Sequence, residues 1–239
     1  MSLDVNRAAT RRSGCGRVFG LFLFVLGFGG CATETLFQSA FNANAVGGPP
    51  ASAQATGTIV VDGAPGSVVI VPPVAGSSGN WARISRTGEQ APITTMLCNF
   101  SQSRGAGTYT LLAALFIPTG SGAATVEFDT GPTALPPSTG FFHIDFLPNN
   151  TVRVNDDPNQ VFGTFPRDRV FSVAITLETS SSTAVAHIGL FGTGASGTKD
   201  ASVSPIGLAN QVGAVRIWMG FPWQGSFNAT DVLVTRRTQ

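Results

Sequence analysis

The sequence predicts an all-β domain, either a two-sheet antiparallel sandwich or a barrel, preceded by an N-terminal signal segment. From residue 56 onward, short strand-like runs recur with Gly-, Pro- and Asn-rich turns between them. Outside the signal segment, no run longer than ten residues repeats its apolar positions every 3.6 residues. The chain is 43% hydrophobic and only 11% charged, which argues against a disordered chain. Its 29 Gly and 15 Pro argue against a helical bundle.

The predicted strands alternate apolar and polar side chains. In the strand Gly140–Leu147, for example, three apolar side chains alternate with His143 and Asp145. We therefore expect one face of each strand to pack in the core and the other to meet solvent or a ligand. The predicted strands are Leu36–Phe41, Thr56–Asp62, Ser67–Val71, Trp81–Arg86, Ile93–Phe100, Gly107–Ile117, Ala123–Asp129, Gly140–Leu147, Thr151–Asn155, Gln160–Phe165, Arg169–Glu178, Thr183–Phe191, Ala214–Met219 and Phe227–Thr235.

Residues 1–30 have the features of a signal peptide. Four arginines precede the uncharged run Val18–Gly30, which at 1.5 Å per residue is too short for a hydrocarbon core of about 30 Å. The run ends in Gly29-Gly30-Cys31-Ala32, which resembles the lipobox of bacterial lipoproteins, with Phe28 where that motif usually has Leu. The resemblance implies that Cys31 is acylated. Ordinary cleavage and an uncleaved anchor are the alternatives.

Charge and cysteine content agree with an extracytoplasmic location. Beyond residue 30, ten basic and twelve acidic side chains give a formal charge of −2, so no basic surface for nucleic acid is expected. With Cys15 in the signal and Cys31 lipidated, only Cys98 is left, and a disulfide framework is not expected. We predict that Cys98 is a small buried residue. A Cys31–Cys98 disulfide is the alternative.

The predicted organisation has three parts. Residues 1–30 form the signal peptide, and residues 31–55 hold the lipidated N-terminus, the first strand and a loop. Residues 56–239 form the β-sandwich, whose fold is expected to include residues 35–45.

Three pairs of segments indicate which sandwich this is: Leu36–Phe41 with Phe227–Val234, Phe142–Leu147 with Thr151–Val154, and Arg169–Leu177 with Thr183–Leu190. They resemble neighbouring strands of the concanavalin A-like lectin/glucanase (laminin-G-like) jelly roll, including its adjacent first and last strands. The resemblance covers residues 35–239 and implies a two-sheet antiparallel jelly-roll sandwich. It does not imply one function, because this superfamily includes lectins, hydrolases, lyases and inert spacers.

The sharpest enzyme candidate is Glu127-Phe128-Asp129, which resembles the Glu-x-Asp motif of laminarinase-like family 16 glycoside hydrolases. Those enzymes carry a second Glu two or three residues further on, where this chain has Thr130-Gly131-Pro132-Thr133. Retaining hydrolysis needs two carboxyls about 5–5.5 Å apart, and loss of the proton donor lowers the rate roughly 10²–10⁴-fold. We therefore predict no catalytic residue and expect Glu127 and Asp129 to be solvated carboxylates.

A second hypothesis places the ionisable side chains of the polar strand faces in a ligand groove. Arginines and carboxylates would hydrogen-bond sugar hydroxyls, while Trp218 or Trp223 would offer a stacking face. The alternative is that these residues are ordinary solvent-facing or ion-paired side chains, and that the tryptophans plug the core. The candidates are Glu127, Asp129, His143, Asp145, Arg153, His187, Arg216 and Trp218.

No metal site or cofactor is predicted. The two histidines are 44 positions apart and have no companion ligand at zinc spacing. Asn155-Asp156-Asp157-Pro158-Asn159 is predicted to be a polar turn, with a Ca²⁺ loop at Asp156 and Asp157 as the alternative, although the EF-hand spacing is missing. The Gly-rich stretch Gly192–Gly197 matches no phosphate-binding motif and is predicted to be a flexible loop.

The leading functional prediction is a cell-envelope lipoprotein with a non-enzymatic binding or interaction domain, with carbohydrate as the first candidate ligand. The alternatives are a glycan-active hydrolase or lyase of the same fold and a purely structural envelope protein. The expected partners are the membrane, through a lipid on Cys31, and a glycan or envelope polymer. Ala32, in place of Asp after the cysteine, resembles lipoprotein sorting to the outer membrane.

Overall fold

Two antiparallel sheets, of eight and seven strands, make up the described part of the protein. The computed structural model describes residues 32–52, 56–130, 140–180, 183–203 and 211–238. These residues contain no α-helix, and none of their segments is a helix long and apolar enough to cross a membrane. The signal peptide predicted at 1–30 and the lipidation predicted at Cys31 lie outside the described residues.

The strands, in chain order, are β1 (Thr33–Ser39), β2 (Thr58–Asp62), β3 (Val68–Val71), β4 (Trp81–Arg86), β5 (Thr94–Arg104), β6 (Gly107–Phe116), β7 (Ala124–Asp129), β8 (Gly140–Phe146), β9 (Val152–Val154), β10 (Val161–Phe162), β11 (Val170–Thr179), β12 (Ala184–Phe191), β13 (Thr198–Val203), β14 (Val212–Met219) and β15 (Gly225–Arg237).

The strand order confirms the predicted jelly-roll sandwich. The eight-stranded sheet has the order β13-β12-β11-β6-β15-β4-β3, with β1 also paired to β15, and the seven-stranded sheet has the order β10-β9-β8-β7-β14-β5-β2. All three predicted strand pairs are present: β1 with β15, β8 with β9, and β11 with β12. The first strand begins at Thr33, three residues earlier than predicted.

The core lies between the sheets and is built by the predicted alternation. Phe142, Ile144 and Phe146 of β8 are all fully buried. Phe146 packs edge-on against Phe165 at 5.3 Å between ring centroids, and Phe171 completes the cluster at 5.4 Å from both rings. Each fully buried side chain of this size contributes about 1.5–3 kcal/mol relative to an exposed one.

The prediction that Cys98 is a small buried residue is confirmed. Its thiol is free and fully buried in the core, and this burial raises its pKa. Cys31, the other half of the alternative disulfide, lies outside the described residues.

The strand β13 was missed, and the loop before it was predicted incorrectly. Only Ala201 and Val203 of this strand are buried apolar residues, too few for a visible alternation. The preceding Gly-rich loop is not a free linker, because Ser196 forms a β-bridge with Thr164. The two backbone segments also approach closely there: a Cβ on Gly197 would lie 2.5 Å from the Cα of Gly163.

Candidate functional site

The register of four adjacent strands brings seven of the eight predicted groove residues onto the outer face of the seven-stranded sheet. On this face Arg216 lies opposite Glu127, which lies opposite His143. In the next row Trp218, Thr125, Asp145 and Arg153 follow one another across β14, β7, β8 and β9. Opposed residues of antiparallel strands share a face, and their Cβ atoms are about 4.5–5.5 Å apart. We call this surface the polar face; its predicted members are Glu127, Asp129, His143, Asp145, Arg153, Arg216 and Trp218.

The prediction for His187 was wrong. It lies on β12 in the other sheet, where its Nδ1 is 2.8 Å from a carboxylate oxygen of Asp200 on β13. Its strand alternates as the others do, but alternation within one strand cannot reveal which of the two sheets the strand joins.

Glu127 and Asp129 are not solvated, contrary to the prediction. They are 3% and 0% exposed, and Arg216 between them is 1% exposed. One guanidinium nitrogen of Arg216 is 3.6 Å from Glu127 Oε2, and another forms a short ion pair with Asp129. A buried carboxylate needs a charged or hydrogen-bonding partner, and Arg216 supplies one to both. The outer face of β7 is therefore buried as completely as its inner face.

A second ion cluster lies in the neighbouring strands. Arg153 donates to Asp145 at 2.9 Å and also pairs with Asp156 in the turn after β9. Thr125 donates its hydroxyl hydrogen to Asp145 at 2.7 Å. His143 Nε2 lies 3.3 Å from a carboxylate oxygen of Asp156. Asp145 is buried at the centre of this cluster, whereas Asp156 is exposed at its rim.

This cluster is also where a cation would be expected, but an arginine already occupies it. Atoms of His143, Asp145 and Asp156 that could bind a metal lie within 4.8 Å of one another. The guanidinium of Arg153 pairs with both of these carboxylates, so an added dication would meet a resident positive charge. Ca²⁺ also prefers six to eight oxygen ligands. Asp157, the other Ca²⁺ candidate, accepts hydrogen bonds within its own turn.

Besides Thr125, sequence reasoning missed further polar members of this face, among them Thr95 and Asn99. Both lie on β5, where Thr95 is opposite Trp218 and Asn99 is opposite Ala214. They alternate with Met96, a core residue. That alternation was visible in the sequence, but the predicted ligand groove included charged and aromatic side chains and left out the neutral polar ones. Both side chains are buried, with exposures of 1% and 4%.

Four buried polar atoms of this face make no hydrogen bond within the described part of the chain. They are Thr95 Oγ1, Asn99 Oδ1, Glu127 Oε2 and Trp218 Nε1. Most buried polar atoms in folded proteins are hydrogen-bonded, so several exceptions on one face require a physical reason. Two of these atoms only accept hydrogen bonds, one only donates, and the Thr95 hydroxyl can do either.

Burial raises the pKa of Glu127, and the nearby charge of Arg216 opposes this shift. The indole N–H of Trp218 also acts to lower this pKa, although it makes no hydrogen bond of normal geometry. The Glu127 carboxylate therefore holds a proton more readily than an ordinary glutamate does.

The aromatic run at the end of β14 divides into three environments. Trp218 is partly buried on the polar face, and its ring packs over Gly220, where a Cβ would lie 2.2 Å from Cζ3. Trp223 packs against the core instead, so it is a core plug and not the alternative stacking face. Phe221 is 72% exposed. Of these three aromatic residues, only Trp218 is therefore both on the polar face and partly exposed.

The order of the strands in the two sheets is that of a concanavalin A-like jelly-roll sandwich. Similar solved structures include the catalytic domain of a glycoside hydrolase family 131 protein from Coprinopsis cinerea, with a TM-score of 0.52 and 12% identity over 84% of this chain and 94% of that chain. Peanut lectin with a nine-residue peptide has a TM-score of 0.51 and 10% identity over 87% of this chain and 98% of that one.

Arcelin-5, a lectin-like defence protein from Phaseolus vulgaris, has a TM-score of 0.51 and 8% identity over 86% of this chain and 98% of that one. At these identities the likeness establishes the fold alone. No protein-family model matches the chain, and no curated protein matches it in sequence.

Proposed function

We propose that the protein is a carbohydrate-binding domain that acts through the polar face without catalysis. The observation that carries this proposal is the set of buried hydrogen-bonding atoms on that face that make no hydrogen bond among the described residues. Leaving such an atom unsatisfied costs about 1–3 kcal/mol. A ligand recovers this free energy on binding if it displaces the groups that cover these atoms and supplies the missing partners.

Sugar hydroxyls suit these atoms because each hydroxyl both donates and accepts a hydrogen bond. One hydroxyl would donate to Glu127 Oε2 or Asn99 Oδ1, and another would accept from the indole N–H of Trp218. The ring of Trp218 would give the apolar face of a sugar a flat surface to stack on. Peanut lectin and the family 131 glycoside hydrolase are carbohydrate proteins by name, and they support the same class of ligand.

The arrangement of carboxylates argues against hydrolysis. Glu127 and Asp129 are both paired with Arg216. Asp145 is held by Arg153 and Thr125. None of these acids has the unpaired partner carboxyl that a retaining or inverting mechanism requires.

A glycan-active enzyme is the second candidate function, and one observation favours it. A general acid requires a carboxyl group whose pKa is raised, and burial raises the pKa of Glu127. If this candidate is right, the protein should release reducing ends from the glycan that it binds. The Glu127→Gln variant should release none.

The test of the proposed function is glycan binding by the wild type and two single variants. Trp218→Ala is expected to weaken binding at least about tenfold, because it removes both a stacking face and a donor. His187→Ala, on the other sheet, is the matched control and should bind as the wild type does. Arg216→Ala is unsuitable because it leaves two buried carboxylates without their cation. Wild-type protein that binds no glycan, or Trp218→Ala protein that binds normally while folded, would overturn the proposal.

We also propose that the domain is tethered to the bacterial cell envelope, at the outer membrane, by a lipid on Cys31. The strand β1 begins two residues after this cysteine, and its Glu34 pairs with Arg104. Arg104 lies opposite Val212 at the start of β14, and Trp218 is six residues further along that strand. At about 3.3 Å per residue, some 20 Å of strand separates the two positions. A glycan at Trp218 would therefore be well away from the lipid.

A further inference from the structure

The polar face carries more carboxylates than cations, and its cations are shared. Each of its two arginines pairs with two acids: Arg216 with Glu127 and Asp129, and Arg153 with Asp145 and Asp156. The acids outnumber the arginines by two. The remaining ionisable group, His143, lies beside Asp156 and does not reverse this balance when it is neutral.

The internal segments outside the described residues do not change this charge balance. The internal segments 53–55, 131–139, 181–182 and 204–210 contain no Asp, Glu, Lys, Arg or His. The described strands of the seven-stranded sheet contain one further arginine, Arg104, and it pairs with Glu34. They also contain one further acid, Asp62, in the same row as Trp218 and Thr95. Every described arginine of this sheet is therefore already paired with a carboxylate.

The hydrogen-bonding atoms point to the same ligand chemistry as the charges. Glu127 Oε2 and Asn99 Oδ1 need donors, and the Thr95 hydroxyl can accept as well as donate. A hydroxyl provides that donor, whereas a carboxylate or sulfate provides only acceptors. An acidic sugar would also have to displace Asp129 or Asp145 to reach a guanidinium on this face. A hydroxyl binds without breaking either ion pair.

Building on the proposed carbohydrate-binding function, we infer that the polar face selects uncharged glycans and excludes acidic ones such as uronic acid polymers. Like charges placed together at a binding surface weaken association through both Coulomb repulsion and desolvation. The exclusion is built into the sheet, because its acids lie in adjacent rows of the neighbouring strands β7 and β8 and in the turn after β9.

The experiment uses polysaccharide pairs that share a backbone and differ in charge. Hydroxyethylcellulose is paired with carboxymethylcellulose, and methyl-esterified polygalacturonate with polygalacturonate, on an array of other neutral and acidic polysaccharides. We expect the neutral member of a bound pair to be preferred by at least about tenfold at low salt. Added salt should reduce the difference in affinity between the neutral and acidic members, because it screens the repulsion between like charges.

Two variants with the same charge change separate this local effect from net charge. Asp156→Asn removes a carboxylate at the rim of the polar face, where the side chain is 70% exposed. It should raise the relative affinity for the acidic member about two- to fivefold. Asp200→Asn removes an equally exposed acid, 77% exposed, from the other sheet, and should leave the preference unchanged.

The outcomes distinguish this inference from the function on which it rests. Equal or tighter binding of the acidic members would overturn the inference and leave carbohydrate binding intact. Equal effects of Asp156→Asn and Asp200→Asn would also overturn it, because the preference would then follow total charge. Absence of binding to every polysaccharide on the array would overturn the proposed function and the inference with it.

Discussion

Arg216 and Asp129 form an ion pair on the outer face of the seven-stranded sheet although their side chains are only 1% and 0% exposed. The same guanidinium lies 3.6 Å from Glu127. A buried ion pair is weak evidence for stability in itself, because desolvation offsets most of the attraction. Its consequence is that removing Arg216 alone leaves two buried carboxylates without their cation.

We predict that Arg216→Ala lowers the free energy of unfolding by about 3–5 kcal/mol, because it leaves two carboxylates buried without a cation. Urea denaturation followed by intrinsic fluorescence measures this change. Combining Arg216→Ala with Glu127→Gln and Asp129→Asn should recover part of the loss. An Arg216→Ala protein as stable as the wild type would contradict the role of this pair.

Thr95 and Thr125 provide a matched pair, because each lies directly opposite Trp218 on one of its two neighbouring strands. The Thr95 hydroxyl makes no hydrogen bond within the described residues, whereas the Thr125 hydroxyl donates to Asp145. We predict that Thr95→Val stabilises the free protein by about 1 kcal/mol and weakens glycan binding.

Thr125→Val should instead destabilise the protein, because it deprives Asp145 of a donor. Thermal denaturation and binding isotherms of both variants check the prediction. Equal stability changes in the two variants would show that the Thr95 hydroxyl is satisfied in solution.

The buried carboxyl of Glu127 gives stability a predictable pH dependence. Burial raises its pKa above the ordinary value of 4.5, so the folded state holds this proton more tightly than the unfolded chain. Its contribution is fully present below about pH 4.5 and is lost as the pH rises through the raised value. The stability of Glu127→Gln relative to wild type should therefore increase with pH across this range. Denaturation curves at several pH values test this, and a constant difference would contradict it.

Gly220 provides the space that the ring of Trp218 occupies. We predict that Gly220→Ala weakens glycan binding by displacing this ring, since the new methyl group would lie 2.2 Å from Cζ3. The stability loss should be about 1–3 kcal/mol, as for other overpacked sites. Gly88→Ala is the control, because a Cβ there meets no atom within 4 Å. Binding and indole fluorescence should change only in Gly220→Ala.

The proposed tether predicts a lipid adduct on Cys31. The intact mass of protein from the membrane fraction should exceed that of residues 31–239 by the mass of the acyl groups. Cys31→Ser should release the protein from that fraction or leave the signal peptide uncleaved. An unmodified wild-type protein found only in the soluble fraction would contradict the proposal.

Much of the fold could be predicted from side-chain alternation. The strand β8 was predicted within one residue because its apolar and polar positions alternate without interruption. The strand β13 escaped prediction because its inner positions hold only Ala201 and Val203 as buried apolar residues. Alternation also placed Glu127, Arg216 and Asp145 on polar strand faces, and the register confirms that they share one.

The sequence by itself therefore determined that this chain is all-β, a sandwich or a barrel, and which side chains face away from the core. It did so because a strand's period of two depends only on neighbouring residues. Only the tertiary structure decided that His187 belongs to the other sheet and that Glu127 and Asp129 are buried beside Arg216. Those outcomes depend on which strands pair and in what register, and residues far apart in the chain set both through packing and charge compensation.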